Sequence, residues 1–288
     1  MTRFDYSELH MGVRVTITCY AHVETLAERA CIHAFARIAE VEQIMSDYRP
    51  GSELMRLCTK AGLGPIDVSP ELHFVLRRSQ QLAELSFGAF DVTCGAVTRL
   101  WRDSRVSGIF PSPEALKDAM SRSGYFNLCV IEDSQSVSLA VNVTQLDLGG
   151  IAKGFACDEA LAVLRSHGVT SALVDASGDI VVSDPPPGKS GWSVDVNGID
   201  RERFVLRNSS ISTSGDSEQF TEIDGCRYSH IVDPRTGIGL TNHVQATVIA
   251  KDGITSDSLT KVCSVLGEDA SWPILRHFDA KAIIISGE

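Results

Sequence analysis

Apolar and polar positions alternate from Val13 to Tyr20: Val13, Val15 and Ile17 are separated by Arg14, Thr16 and Thr18, the period-two signature of a half-buried strand. The period then lengthens. Across His22–Met45, Ala34, Ile38, Val41 and Met45 recur at helical spacing, and Tyr48-Arg49-Pro50-Gly51 ends the pattern. A further helix is predicted after Ser69-Pro70-Glu71, where serine offers an N-cap, proline fits the first turn, and Leu72, Val75 and Leu76 form an apolar face. Strands are predicted at Gln145–Leu148, Ala172–Ala176, Trp192–Val196, Gln245–Ala250 and Ala280–Ser286. The strongest breaker, Ser183-Asp184-Pro185-Pro186-Pro187-Gly188, lies between two of these strands and reads as a surface loop or hairpin, not a domain linker. Strands and helices of mixed order predict an α+β fold, with mixed sheets and packed helices, over a doubly wound parallel sheet.

Composition narrows the function. At 288 residues, 43% hydrophobic and 22% charged, the chain suits one large domain or two modest ones with a sizeable core. A net charge of −11 argues against nucleic acid or an anionic membrane as partner, while leaving room for a local anion site. Eight cysteines are scattered without a C-x-x-C, so neither a zinc cluster nor a redox dithiol is signalled, and a reducing compartment is expected. The N-terminal stretch lacks the apolar run and cleavage site of a signal peptide, and no segment approaches the roughly 18 apolar residues of a membrane span. The expectation is a cytoplasmic protein with no membrane partner.

Chemistry concentrates in four stretches. In Leu146-Asp147-Leu148-Gly149-Gly150-Ile151-Ala152-Lys153-Gly154, an acidic residue leads into a glycine turn. An amphipathic helix follows, with Cys157, Ala160, Leu161 and Leu164 on one face and Gly168 as its stop. Free N–H groups and the positive end of the helix dipole would favour phosphate there, with Lys153 adding charge; equally, the glycines could serve a tight turn capped by Asp147. In the second, Ser212–Glu218 and Tyr228–Gly237, hydroxyls and acids surround His230 and Asp233, which a Pro-x-Thr-Gly turn could hold near one reaction centre. In the third, Asp91 sits among small and apolar residues in Ser86–Thr93, ahead of a helix burying Val97, Leu100 and Trp101. The fourth, Asp252–Lys261, opens a helix in which Asp257 is either an ordinary N-terminal charge or an oxygen ligand for a hard cation. Two apparent motifs fail: Gly188-Lys189-Ser190 lacks the earlier glycine of a P-loop, and no G-x-G-x-x-G supports a Rossmann site.

Taken in order, these stretches resemble the ApbE-type FAD:protein FMN transferase family. The resemblance rests on Met45-Ser46-Asp47-Tyr48-Arg49-Pro50-Gly51-Ser52-Glu53-Leu54, Gly88–Thr93, Asp147–Gly154, Ser214-Gly215-Asp216 and His230–Gly237, and spans Val13 to the C-terminus. It implies a single domain over residues 1–288 with an ApbE/T-fold-like two-lobed architecture and the FAD site between the lobes. It implies transfer of FMN from FAD, with Mg²⁺, to a Thr or Ser of an acceptor protein, releasing AMP. The alternatives are an FAD pyrophosphatase giving FMN and AMP, or a catalytically impaired FAD-binding protein. Carried over by position, it implies FAD contacts at Met45, Ala89, Phe90, Asp91, Asp147, Lys153 and Ile231, and a metal near Gly150 and Asp257. His230, oriented by Asp233, is the candidate base for the incoming hydroxyl. The sequence departs from the pattern at one point. The family's signature has a Thr metal ligand four residues after the Asp, where this chain has Lys261, and Thr260 cannot substitute because a helix turns about 100° per residue. One turn from Asp257, the Lys261 ammonium could take the cation's position, leaving an FAD site with altered, weak or no Mg²⁺ dependence.

Overall fold

A computed structural model describes residues 1–196, 203–215 and 220–286. The chain opens with β1 (Thr2–His10) and β2 (Val13–Ala21), paired antiparallel through a two-residue turn. Met11 and Gly12 both have positive φ (51° and 75°), the backbone that a tight hairpin between right-twisted strands needs. Then come α1 (Glu24–Met45), α2 (Glu53–Thr59), β3 (Ile66–Asp67), α3 (Pro70–Leu85), α4 (Gly95–Ser107), α5 (Pro113–Ser121), β4 (Leu128–Ile131), β5 (Ser136–Leu139) and α6 (Ala152–Ser166). The remainder is mostly strand: β6 (Ser171–Ala176), β7 (Asp179–Val182), β8 (Trp192–Asp195), β9 (Arg203–Leu206), β10 (Ser209–Ser214), β11 (Phe220–Ile223), β12 (Cys226–Ser229), β13 (Val232–Asp233), β14 (Ile238–Gly239) and β15 (Val244–Ala250). Last are α7 (Gly253–His277), which breaks at Gly267 (φ 74°) and continues, and β16 (Lys281–Ser286).

Seven strands form one antiparallel sheet in the order β1-β2-β6-β7-β10-β15-β16. Helices α1, α6 and α7 pack side by side and bury one face of it, because the inward residues of β2 (Val15, Ile17, Cys19) and of β15 (Ala246, Val248, Ala250) meet the apolar stripes of those helices. On the other face the β8–β9 hairpin lays Trp192 and Val194 against Val182 and Ile211. A second, smaller core packs α4 and α5 against β12, β13 and β14 through Val97, Trp101, Ala119 and Val232. Mixed helices and antiparallel sheets bear out the α+β expectation.

Local signals behave as the physics requires. Ser69 accepts a hydrogen bond from the Leu72 N–H (3.3 Å) to start α3, and Gly168 (φ 81°) follows the end of α6. The predicted strand at Gln145–Leu148 is not one: Gln145 makes an isolated parallel bridge to Cys94, and the Asp147 N–H is donated to the Val92 carbonyl (2.8 Å). Leu146 and Leu148 are both buried, so the alternation is real, but the segment runs beside a loop and no strand lies next to it.

Candidate functional site

A cavity of about 1030 Å³ opens between the end of α1, the loop before α4, the turn before α6, and the loops after β10 and β12. That is at the upper end of the ordinary size of small-ligand clefts, roughly 300–1,000 Å³. Met45, Ala89, Phe90, Asp91, Asp147, Gly150, Lys153, His230 and Ile231 all line it, drawn together from positions nearly two hundred residues apart. Asp233 does not: its carboxylate accepts from the Arg235 backbone N–H (2.9 Å) and pairs with the Arg235 guanidinium (2.9 and 2.8 Å) at the mouth of a turn. Its carboxylate fixes that turn, and the expected orienting contact to His230 is not the role its bonds display. Asp216 lies outside the described residues.

Asp147 shapes its own turn and ties it to α4. One oxygen accepts the Gly149 N–H (2.8 Å), which shapes the glycine turn; the other accepts from the Thr98 hydroxyl (2.7 Å) and from Arg102 (2.8 Å). Thr98 and Arg102 stand one helical turn apart on α4, so one face of that helix reaches the carboxylate twice. Arg102 also pairs with Asp47, and its guanidinium lies 4.3 Å from the centre of the exposed Tyr48 ring. Burial and the neighbouring Asp147 push the Asp47 carboxyl above its ordinary value despite that pair. Asp91 is also raised by burial, against the pull of the Thr93 hydroxyl (2.7 Å) and N–H (2.8 Å) that it accepts.

Beneath the cavity, α6 and α7 meet at their N-termini, and glycine makes the approach feasible. A Cβ on Gly154 would stand 2.0 Å from the Gly253 carbonyl oxygen, and one on Gly253 would stand 2.5 Å from that of Gly154. The two helices then cap each other. Asp158 of α6 accepts the Gly253 and Ile254 N–H groups (2.7 and 2.9 Å), and Asp257 of α7 accepts the Gly154 N–H (3.1 Å). These bonds satisfy end-of-helix donors and set carboxylates at the positive ends of both dipoles.

Two partly buried lysines complete a chain of alternating charge with buried Asp179 and Asp257. Lys153 pairs with Asp179, the first residue of β7, and Lys261 donates to Asp257 at 2.6 Å. Burial works against the Lys153 charge, but Asp179 and Asp257 outweigh it and raise its pKa above the usual lysine value. Burial alone would raise Asp257; Lys261 and Lys153 hold it below the ordinary carboxylate value instead. The Lys261 stem lies across Gly150, where an added Cβ would come within 3.2 Å of its Cγ. Thr260 points elsewhere, donating its hydroxyl to the Asp257 carbonyl (2.6 Å).

This donor set does not fit the metal expected near Gly150 and Asp257. A hard divalent ion takes about six oxygens. Both Asp257 oxygens are already engaged, one by an ammonium and one by a backbone N–H, and a cation would meet the Lys261 charge directly. Among the described residues no group of three His, Cys, Asp or Glu side chains could hold a metal. Sequence reasoning missed Arg102 and Asp179. A signal existed for each: the Thr98–Arg102 spacing, and an aspartate opening the otherwise apolar strand Asp179-Ile180-Val181-Val182.

Fold and site together define an α+β protein that presents the first turn of α6, with Lys153, and Lys261 from α7 to a large, mixed polar and apolar pocket. Residues 11–284 match the ApbE family, and the chain belongs to it. It is 32% identical to the FAD:protein FMN transferase of Treponema pallidum, an alignment covering 96% of this chain and 82% of that one. A second FAD:protein FMN transferase, from Vibrio cholerae, is 32% identical over 82% of this chain and 73% of its own length. The structure superimposes on a mutant of the flavin transferase ApbE from Vibrio cholerae with a TM-score of 0.88 (28% identity; 100% of this chain, 95% of the other). An ApbE protein from Thermotoga maritima gives 0.86 (28% identity; 99% and 94%).

Proposed function

We propose that this protein is a flavin transferase: it binds FAD and moves the FMN half onto a threonine or serine hydroxyl of an acceptor protein, releasing AMP. The observation that carries the reading is the convergence of Met45, Ala89, Phe90, Asp91, Asp147, Lys153 and Ile231 on one pocket in a chain whose named relatives are FAD:protein FMN transferases. Lys153, in the first turn of α6, supplies positive charge for the pyrophosphate, and Asp147 shapes the turn that precedes that helix. His230, at the pocket wall beside Ile231, is our candidate to take the acceptor's hydroxyl proton. The resemblance that suggested FAD also suggested Mg²⁺, but the Asp257 donor set speaks against that ion, so no step is assigned to it. We read the chain as a single domain, in line with a core that runs from Val15 to Ala280, and as working in a reducing, cytoplasmic setting, in line with eight free thiols. Among the described residues no helix is long and apolar enough to cross a membrane.

The test is incubation with FAD and a pool of threonine and serine peptides with randomised flanks, followed by mass analysis. AMP together with FMN-bearing peptide is expected. Free FMN and AMP at the same rate without peptide would mark a hydrolase instead.

A further inference from the structure

We propose that Lys261 is a tethered cation that neutralises the pyrophosphate during transfer, so that this flavin transferase works without a divalent metal. The inference rests on the proposed transfer reaction and assigns one residue a role in it. Three observations carry it. The Lys261 ammonium is 2.6 Å from Asp257, a fully buried carboxylate, while its own side chain keeps 19% exposure and lines the pocket. Its stem is seated across Gly150, in the turn that leads into α6, where even an added Cβ would come within 3.2 Å of its Cγ. Lys153 borders the same pocket, so two ammonium groups, each held by a carboxylate, line it together.

The step needs what these groups supply. The acceptor hydroxyl oxygen forms a bond to the FMN phosphorus, and the bond from that phosphorus to the bridging oxygen breaks. AMP leaves with the bridging oxygen, and the hydroxyl proton passes to a base and then to solvent. Negative charge builds on the bridging and non-bridging oxygens, and a preorganised cation lowers the barrier by meeting it there. Asp257 holds the ammonium in place and is itself held by Gly154, so the charge needs no reorganisation when the pyrophosphate arrives.

The decisive measurement is AMP release and FMN-peptide formation by the wild-type protein with FAD and the randomised peptide pool, once in EDTA and once in millimolar Mg²⁺. Equal rates are expected. Lys261→Met, which keeps the stem and removes the charge, is expected to lose ~10²-fold in either buffer while still quenching flavin fluorescence. Mn²⁺ added to the FAD-loaded wild type is expected to keep the paramagnetic resonance signal of the free ion. Activity that vanishes in EDTA and returns with Mg²⁺ overturns the proposal and leaves the transfer reading standing. Stoichiometric Mn²⁺ uptake, or a Lys261→Met protein as active as wild type, overturns it too. AMP in neither buffer overturns both readings. The EDTA and Mn²⁺ measurements use unmodified protein and decide the matter even if the variant fails to fold.

Discussion

Asp158 illustrates how one buried group can make stability depend on pH. Burial raises its pKa to about 7, against the pull of the Gly253 and Ile254 N–H groups that it caps. The unfolded chain releases the same proton near the ordinary carboxylate value. Between those limits the native state binds more protons than the unfolded one, so stability falls as pH rises. The slope from this group is at most about 1.4 kcal/mol per pH unit. Asp158→Asn cannot ionise, and its stability relative to wild type should therefore improve steadily from pH 4.5 to 7. Urea unfolding of both proteins across that range checks this, and parallel curves would refute it. At the same scale, the pocket positions of Asp147 and Lys153 were legible because they stand in one short stretch of distinctive chemistry, whereas Asp91 was singled out only through the family resemblance. Arg102 and Asp179 left only faint signals, because each acts through a partner that is distant in sequence: Asp47 and Asp147 for the first, Lys153 for the second.

The crossing of α6 and α7 is the element-scale feature on which the site depends. Gly154→Ala adds a Cβ 2.0 Å from the Gly253 carbonyl oxygen and 2.8 Å from the Asp257 Cβ, both fixed by helices and neither free to move alone. Overpacking of this kind costs roughly 1–3 kcal/mol, and here it also pulls the Asp257 cap away from the Gly154 N–H. The expected result is a lower melting temperature by calorimetry together with weaker FAD binding by fluorescence titration. A variant that melts lower yet binds FAD normally would show that the crossing serves stability alone. This contact was invisible in the sequence, since nothing in the spacing of Gly154 and Gly253 says that they touch. Elements with a clear period were legible: the strand from Val13, the helix ending at Met45, and α3 behind its serine cap. Strand β1 escaped because its alternation is brief, with Phe4 and Tyr6 turned to the core between Arg3, Asp5 and Ser7 and exposed residues following, and α2 because seven residues are too few to establish a period. Gln145–Leu148 misled for the opposite reason, since alternation reports burial on one side and not the presence of a neighbouring strand.

The net charge of −11 matters most for the molecule as a whole. An acidic protein that takes an anionic dinucleotide must attract it locally while repelling it at a distance. The pocket offers no broad positive field to offset the repulsion: Arg49, Arg102, Arg105, Lys153 and Lys261 are matched along its walls by Glu42, Asp47, Asp91, Asp147, Asp175 and Asp195. Beneath them Lys153 and Lys261 are already paired with Asp179 and Asp257, so their attraction operates at contact range, where a pyrophosphate oxygen can share the ammonium. Salt screens the long-range repulsion first, because the Debye length is about 10 Å at 0.1 M, and leaves the partly buried pairs much less affected. The association rate of FAD should therefore rise with ionic strength, by a factor on the order of 2 between 20 and 200 mM NaCl, with little change in the dissociation rate. A cleft that steers its ligand electrostatically shows the reverse slope. Stopped-flow quenching of flavin fluorescence separates the two rates, and an association rate that falls with salt would mean that the lysines project a field beyond their carboxylate partners.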